Sequence, residues 1–396
     1  MAWPTVKLGE ICQIEKEQFR EGNLPYVGME DIEGHTGRFL GERSPKSVAS
    51  STFKFSDKHV LYGRLRPYLN KVLVPGFEGH CSSEIFPLKP SDKLNRKFLY
   101  YWLSSEKIVS AIDATCTGAR MPRANVKEVL TFDFSLPSLP EQKRIVAILD
   151  QAFADIDQAR ALTEQNLKNA RELFESYLQQ VFSQRGEGWT IEPLENAVTK
   201  DCTLSYGIVQ PGDNVAGGLP VVRPTDLIKE VIDLSGLKQI DPSKAEGYMR
   251  TLLQGGELLV CVRGSTGTTS IASEELSGAN VTRGIVPIRF NPEKISQRFG
   301  YYQFISPAIQ TQIQAGTYGA ALMQINIRDL RKLKVRIPSL EVQQKITDQL
   351  DSIKPDLERI EAIYSAKLNA FEELRSSLLE KAFSGALTTN NEKAVA

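Results

Sequence analysis

Basic and aromatic side chains interleave between residues 40 and 75 of this 396-residue chain. Arg43, Lys46, Lys54, Lys58, Arg64, Arg66 and Lys71 are opposed only by Glu42 and Asp57, a net of +5. Phe53, Phe55, Tyr62 and Tyr68 lie among them. Cations beside rings suit a phosphate backbone, and arginine forks match guanine edges. The same stretch also reads as a solvated surface over core aromatics. In the second half Arg223, Lys244, Arg250, Arg263 and Arg283 are spread among acids. Two further runs are Thr117-Gly-Ala-Arg120-Met-Pro-Arg123, before Asn125, and Thr317-Tyr318-Gly-Ala-Ala-Leu-Met-Gln324, before Asn326. Loops on a rigid scaffold hold recognition side chains, whereas Gly118 and Gly319 equally suit structural turns.

Other chemistry is hard to assemble from these residues. Gly264-Ser-Thr-Gly267 lacks the lysine of a phosphate loop and reads as a turn between strands. No GxGxxG run and no Asn-Pro-Pro-aromatic run occurs; Asn291-Pro292 continues with Glu and Lys. Histidines occur only at 35, 59 and 80, so a Ser/His/Asp set cannot recur in the second half. Cys12, Cys81, Cys116, Cys202 and Cys261 are odd in number and form no CxxC, which argues against a disulfide framework or a zinc site. Glu141-Gln-Lys143 spells ExK, but on the first turn of a helix, where a carboxylate is a cap. The expectation is a non-enzyme with no catalytic, cofactor or metal residue. The 48 basic and 48 acidic residues cancel, which weighs against a uniformly basic nucleic-acid binder but not against a local basic face. With no long apolar run and no signal-like start, a cytoplasmic protein is expected.

The elements that would position these residues come in duplicate. Leu136-Pro-Ser-Leu139 recurs as Ile337-Pro-Ser-Leu340, 201 positions on. The same shift pairs Gln142 with Gln343, Ile145 with Ile346, Leu149-Asp150 with Leu350-Asp351, and Phe182-Ser183 with Phe383-Ser384. Upstream it pairs Phe98, Tyr100 and Tyr101 with Phe299, Tyr301 and Tyr302. Asp31-Ile32 matches Asp226-Leu227 at a shift of 195, where a lone matched Asp reads as a turn or cap. Apolar residues at alternating spacings of four and three give each copy a long helix with a coiled-coil seam. The seam is predicted to hold Ile145, Leu149, Ala152, Ile156, Ala159, Ala170, Leu173 and Tyr177 in the first copy and Ile346, Leu350, Ile353, Leu357, Ile360, Tyr364, Phe371, Leu374 and Leu378 in the second, with a polar slot at Asn166 and Lys367. Ser339 can cap the second helix, and Pro355 predicts a kink or short break in it. Residues 141 to 184 would span about 66 Å. Each globular part is read as α+β, with strands around Lys71–Val74, Glu257–Val262 and Gly284–Arg289 and amphipathic helix over 95–114 and 296–315. The globular parts are slightly basic (+3 and +2) and the helical parts slightly acidic (−2 and −3).

Two modules, each ending in Leu136-Pro-Ser-Leu-Pro-Glu-Gln-Lys-Arg-Ile145 or Ile337-Pro-Ser-Leu-Glu-Val-Gln-Gln-Lys-Ile346, resemble the specificity subunit of a type I restriction–modification system. Leu24-Pro-Tyr-Val-Gly-Met-Glu-Asp-Ile32, Leu61-Tyr-Gly-Arg-Leu-Arg-Pro-Tyr-Leu-Asn-Lys71 and Leu258-Leu-Val-Cys-Val-Arg-Gly-Ser-Thr-Gly267 are also similar to that family. Val342 departs from its usual Pro-x-x-Glu-Gln pattern. The resemblance implies two pseudo-repeated α/β target recognition domains, 1–135 and 185–336, separated by two long antiparallel coiled-coil helices, 136–184 and 337–396 with a frayed tail. It implies double-stranded DNA with a split target as ligand, and two methyltransferase subunits and restriction/translocase subunits as partners. S-adenosylmethionine, ATP and Mg²⁺ would sit on those partners. The DNA-contact candidates are Arg64, Arg66, Lys71, Arg120 and Arg123 in the first domain and Arg263, Tyr318 and Gln324 in the second. A coiled-coil scaffold with two protein-binding modules is the competing reading. A duplicated hydrolase is a third, and it lacks a repeated catalytic set.

Overall fold

Gln142 and Gln343 occupy matching places in the repeat, and both are fully buried. In the computed structural model, which describes residues 3–118, 120–183, 188–319 and 322–389, their amides make the same bonds. Gln142 Oε1 accepts from the Asn95 N–H at 2.7 Å, and Nε2 donates to the carbonyls of Lys93 and Pro137, both at 2.9 Å. Gln343 accepts from the Ser296 N–H at 2.8 Å and donates to Lys294 at 2.7 Å and Pro338 at 3.0 Å. Asp150 takes the Tyr101 hydroxyl and the Lys97 ammonium, both at 2.6 Å; Asp351 takes the Tyr302 hydroxyl and the Arg298 guanidinium. The repeated polar residues therefore fasten each long helix to its own module. The matched Asp31 and Asp226 are turn caps, each accepting a backbone N–H three residues upstream at 2.7 Å.

The long helices are Leu139–Ser183 and Leu340–Ser384. Two compact units cut across the sequence halves. One is Met1–Glu164 with Ser365–Ala396; the other is Gln165–Tyr364. In the first unit Thr5–Lys7 pairs with Asp133–Ser135, which ties the start of the module to its end. An antiparallel sheet runs in the order Cys12–Ile14, Ile85–Pro90, Val60–Gly63, Val72–Leu73. A second sheet runs Gln18–Phe19, Thr52–Phe55, Gly79–Ser82, Tyr26–Val27, with its last pair parallel. The second unit repeats the plan. Thr190–Pro193 pairs with Lys334–Ile337, and Val231–Ile232, Thr269–Ala272, Leu258–Cys261 and Ile285–Ile288 form the four-stranded sheet. Lys238–Ile240, Leu219–Val222 and Asn280–Val281 form the other. Strand alternation sends Leu258 and Val260 into one core and Leu259 and Cys261 into another.

Each main core takes residues from both long helices. Ile145, Leu149, Phe153 and Ile156 enter the first core with Leu379 and Ala382. Leu350 enters the second with Leu178 and Phe182. Phe383 packs on Phe98 at 5.1 Å between ring centroids, and Phe182 on Phe299 at 5.3 Å, the same contact made reciprocally. In both units the helices pair antiparallel: Asp157 with Arg375 and Arg160 with Glu372 in the first, Arg171 with Glu361 and Tyr177 with Gln349 in the second.

The buried stripe departs from the predicted seam. Ile145, Leu149, Ile156 and Leu350 are buried, and Ile346 and Leu357 half-buried. Asn166 and Lys367 are exposed, so neither is a polar slot. Leu173, Ile353, Ile360 and Leu374 also face outward. Ala152, Ala159, Ala170, Tyr177, Tyr364, Phe371 and Leu378 of the predicted seam are half-buried, and the stripe also takes Thr163, Leu167, Phe174 and Leu178 on the first helix and Leu368, Arg375 and Leu379 on the second. A straight helix repeats every 3.6 residues or so, and a strict heptad frame drifts off its face by about 20° per heptad. The stripe therefore takes Leu167 and Phe174 where the heptad frame set Asn166 and Leu173, while Ala170 stays on both.

Three further expectations change. The segments 95–114 and 296–315 are helix pairs, Arg96–Ser104 with Glu106–Asp113 and Gln297–Ile305 with Pro307–Ala315. Ser105 and Ser306 are extended between them, and each hydroxyl turns back to a carbonyl, at 2.8 and 2.6 Å. Pro307 disfavours helical geometry at Ser306. The second long helix runs through Pro355 without a break. Asp351 and Lys354 just before it are held by Arg298 and Glu230, and such tertiary anchors oppose separation of the turns. Ser339 Oγ accepts from the Val342 N–H at 3.4 Å, as a cap does. Among the described residues no helix is long and apolar enough to cross a membrane.

Gln343→Ala orphans a buried N–H and two carbonyls, so it should cost about 2–4 kcal/mol. Chemical denaturation checks this, and a loss below about 0.5 kcal/mol would show that the amide is replaceable.

Candidate nucleic-acid interface

Two loops meet at one edge of the first four-stranded sheet. Gly63 stands opposite Ile85, and beyond it the Arg64 N–H still donates to the Glu84 carbonyl at 2.9 Å. The chain then turns through Arg66 and Asn70, whose φ of 51° and 45° are left-handed, around a single turn Pro67–Leu69. The segment 117–123 closes on itself by a bridge between Thr117 and Arg123 and lies along this turn. The Arg66 N–H donates to Pro122 at 2.8 Å and the Ala124 N–H to Arg64 at 2.9 Å. Gly118, at φ 93°, supplies the reversal that other residues resist.

This brings Arg64, Arg66, Arg120 and Arg123 together from two parts of the sequence. One carboxylate organises two of them. Glu84 Oε2 accepts from Arg64 Nε at 2.9 Å, and Oε1 accepts from Arg123 Nη2 at 2.8 Å and Nε at 3.0 Å. The Arg123 guanidinium, helped by Arg64, holds the Glu84 carboxyl below its ordinary range. Arg64 also lies 5.0 Å from the Phe86 ring centre, and Lys16 reaches the same ring at 4.1 Å. Burial, then the charges of Arg64 and Lys127, hold the Lys16 ammonium below its ordinary range. Cations crowded in this way attract an anion. Arg66, Tyr68, Arg120 and Met121 are exposed around them. Lys71 donates to the Met29 carbonyl at 2.6 Å and so braces the turn from within the module. Of the interleaved aromatics, Phe55 and Tyr62 are core residues.

The second unit repeats the frame with other side chains. Cys261 stands opposite Ile285, and the Val262 N–H donates to Gly284 at 2.7 Å. The Gly264 N–H donates to Met323 at 2.8 Å and the Ile325 N–H to Val262 at 3.0 Å. By these bonds Val262, Gly284 and Gln324 stand where the first unit has Arg64, Glu84 and Arg123. Gln324 bridges Arg263, as Arg123 bridges Leu65. Gln324 Nε2 donates to the Tyr318 hydroxyl at 3.2 Å, and that hydroxyl donates to Asn326 at 2.6 Å. Thus Arg263, Tyr318 and Gln324 are also brought together. A cavity of about 300 Å³ opens beside them, rimmed by Val209, Pro224, Arg263, Arg283, Gly284 and Leu322. The buried Arg263 Nε has no acceptor among the described residues.

Glu84 and Lys16 escape a reading of the sequence, because their partners lie 20, 39 and 48 positions away. The matched Ile85-x-Pro87 and Ile285-x-Pro287 were the available signal, since they align Glu84 with Gly284.

Residues 2–167 and 213–366 match the family model of the type I restriction modification DNA specificity domain. The chain belongs to that family. It is 25% identical over 351 residues to the type I restriction enzyme EcoBI specificity subunit of Escherichia coli, covering 80% of this chain and 73% of that one. It is 20% identical over 379 residues to the MjaVIII specificity subunit of Methanocaldococcus jannaschii, covering 89% and 86%. Its fold is similar to the HsdS subunit from Thermoanaerobacter tengcongensis, with a TM-score of 0.59 at 20% identity over 98% and 97% of the chains. It is also similar to a chain from a solved type I R-M system, with a TM-score of 0.78 at 22% identity over 98% of both. Both likenesses concern the fold. The two stretches matched as DNA specificity domains contain the two loop frames.

Glu84→Gln removes a carboxylate whose proton affinity folding lowers. A depressed folded pKa contributes stability above the unfolded carboxyl range, and that share is lost as pH falls through the folded value. The parent should therefore lose stability below about pH 4.5 more steeply than the variant. Superimposable acid unfolding curves would show that the two arginines do not depend on Glu84.

Proposed function

We propose that this chain selects the DNA on which a type I restriction–modification complex acts. Each specificity domain reads one half of a split target, and the long helices set the spacing between halves. The observation that supports this best is one backbone frame built twice with different side chains. A device that reads two unlike half-sites needs a common scaffold and unlike tips. In the first domain Arg64, Arg66, Arg120 and Arg123 offer guanidinium forks to base edges, and Lys16 offers charge to phosphate. In the second, Arg263 borders an opening beside the frame, and the Gln324–Tyr318 pair offers neutral hydrogen-bonding groups. The relatives bear the name of specificity subunits, which fits a choosing role.

On this reading the chain supplies no catalytic group. Its helices dock two methyltransferase subunits, which bind S-adenosylmethionine and methylate adenine. Restriction/translocase subunits join them and use ATP and Mg²⁺. The assembly works in the cytoplasm.

Co-expression with the modification subunit, followed by modification-sensitive sequencing, should place methyladenine at one split motif. Exchanging residues 1–135 for another domain should change one half of that motif and leave the other. Arg64→Ala with Arg66→Ala should weaken binding or relax that same half by about 1–3 kcal/mol. DNA binding should also fall steeply with salt. A stable complex that adds no methylation and holds DNA equally at low and high salt would sink the proposal.

A further inference from the structure

The repeat puts opposite charges at equivalent places on the two long helices. Arg160 and Arg171 lie on the first; the residues 201 positions later are Glu361 and Glu372. In the first unit Arg160 pairs with Glu372, while also taking Glu164 of its own helix. In the second unit Arg171 pairs with Glu361 at 2.6 Å. Each contact therefore joins one residue to the counterpart of the other. Put a second copy of the first helix in place of the second, in the same antiparallel register, and Arg160 faces Arg171 at both sites. Two copies of the second helix set Glu361 against Glu372 twice.

The apolar contacts cannot make this distinction. Phe98 with Phe383 and Phe299 with Phe182 are the same contact under the repeat, so an end phenylalanine from either helix would serve either module. A third ion pair divides unevenly. Asp157 meets Arg375 at 3.1 Å, and their counterparts are Glu358 and Phe174. Two first helices would set Asp157 against Phe174, whereas two second helices would keep an acid beside Arg375. The exclusion is thus stronger for the first helix.

We propose that Arg160, Arg171, Glu361 and Glu372 form a pairing code by which each half of the chain takes the other half and refuses a second copy of itself. An exposed ion pair adds little to stability. Two such pairs replaced by two like-charge contacts decide between competing partners, because specificity is a difference between pairings. The assembled particle then holds one of each specificity domain. This inference stands whether or not those domains read DNA.

The test uses the full chain and leaves its net charge unchanged. Arg171→Glu with Glu372→Arg crosses the code, so that unlike helices repel and like helices attract. Arg160→Glu with Glu361→Arg crosses it independently. The fourfold exchange at 160, 171, 361 and 372 restores attraction between unlike helices with the signs reversed. Two differently tagged copies of each form are unfolded together and refolded at low salt; one tag is captured and the other counted. Both crossed forms should co-capture roughly threefold more than the parent, with a larger mass by light scattering. The fourfold form should match the parent, and near 1 M salt the differences should vanish. Crossed forms that co-capture no more than the parent, or a fourfold form that behaves as they do, would overturn the code.

Discussion

Phe182 ends the first long helix and is fully buried against Phe299, a residue of the module that follows it in sequence. Phe383 ends the second and packs on Phe98, in the module that opens the chain. Neither module completes its core with its own helix. Burying an aromatic side chain of this size stabilises by roughly 1.5–3 kcal/mol, so the exchange is not incidental. Other features follow from it. Each helix must start at one module and finish at the other, and the two must run antiparallel. The amide clamps at Gln142 and Gln343 and the carboxylate clamps at Asp150 and Asp351 then fix where each helix leaves its module.

This divides the labour between residues. Those the repeat preserves (Gln, Asp, Phe and the stripe isoleucines and leucines) face a helix or its seat. Those it changes include Arg64, Glu84 and Arg123 on the loop frame at the sheet edge and the charged positions 160 and 171 on the helices. Glu84 shows what a carboxylate does among clustered arginines. Alone, Arg64 and Arg123 would be long, mobile chains that repel each other. Held on one carboxylate, they lose less freedom on binding and keep a shared net positive charge. The second unit has Gly284 there and leaves an opening instead. The frame is constant while the chemistry at its tip varies.

The duplication and the two long helices were legible because they depend on patterns that survive in one dimension. The seam was legible near its start and in part further on, where Ala170, Tyr364 and Phe371 keep their places and Asn166, Leu173 and Lys367 do not. Asn166 and Lys367 fit a strict heptad, but the helices follow the period of a straight helix, so some heptad positions slip off the inner face. Pro307 was an unread sign of the break at Ser306, whereas Ser105 precedes a glutamate and gave no such sign. The basic stretch at 40–75 mixed two kinds of residue. Phe55 and Tyr62 are core, and Tyr68 is exposed beside Arg66. Burial by tertiary neighbours separates them, and spacing does not. Glu84 was illegible for the same reason, since only the fold brings it to Arg64 and Arg123.

The two junctions between module and helix are alike in plan but not in chemistry. In the second unit Lys354 is largely buried and pairs with Glu230, which belongs to the module and also takes Arg298. The counterpart of Lys354 in the first unit is Phe153, stacked edge-on to Tyr101 at 5.4 Å and covered by Arg375 at 4.2 Å. An aromatic ring asks only for apolar surface from the module set against it. A buried ammonium asks for an acid, because an unpaired buried charge is costly. Lys354 finds Glu230 on the module and Glu358, at 3.8 Å, on its own helix. The first junction therefore depends on shape, and the second on charge as well.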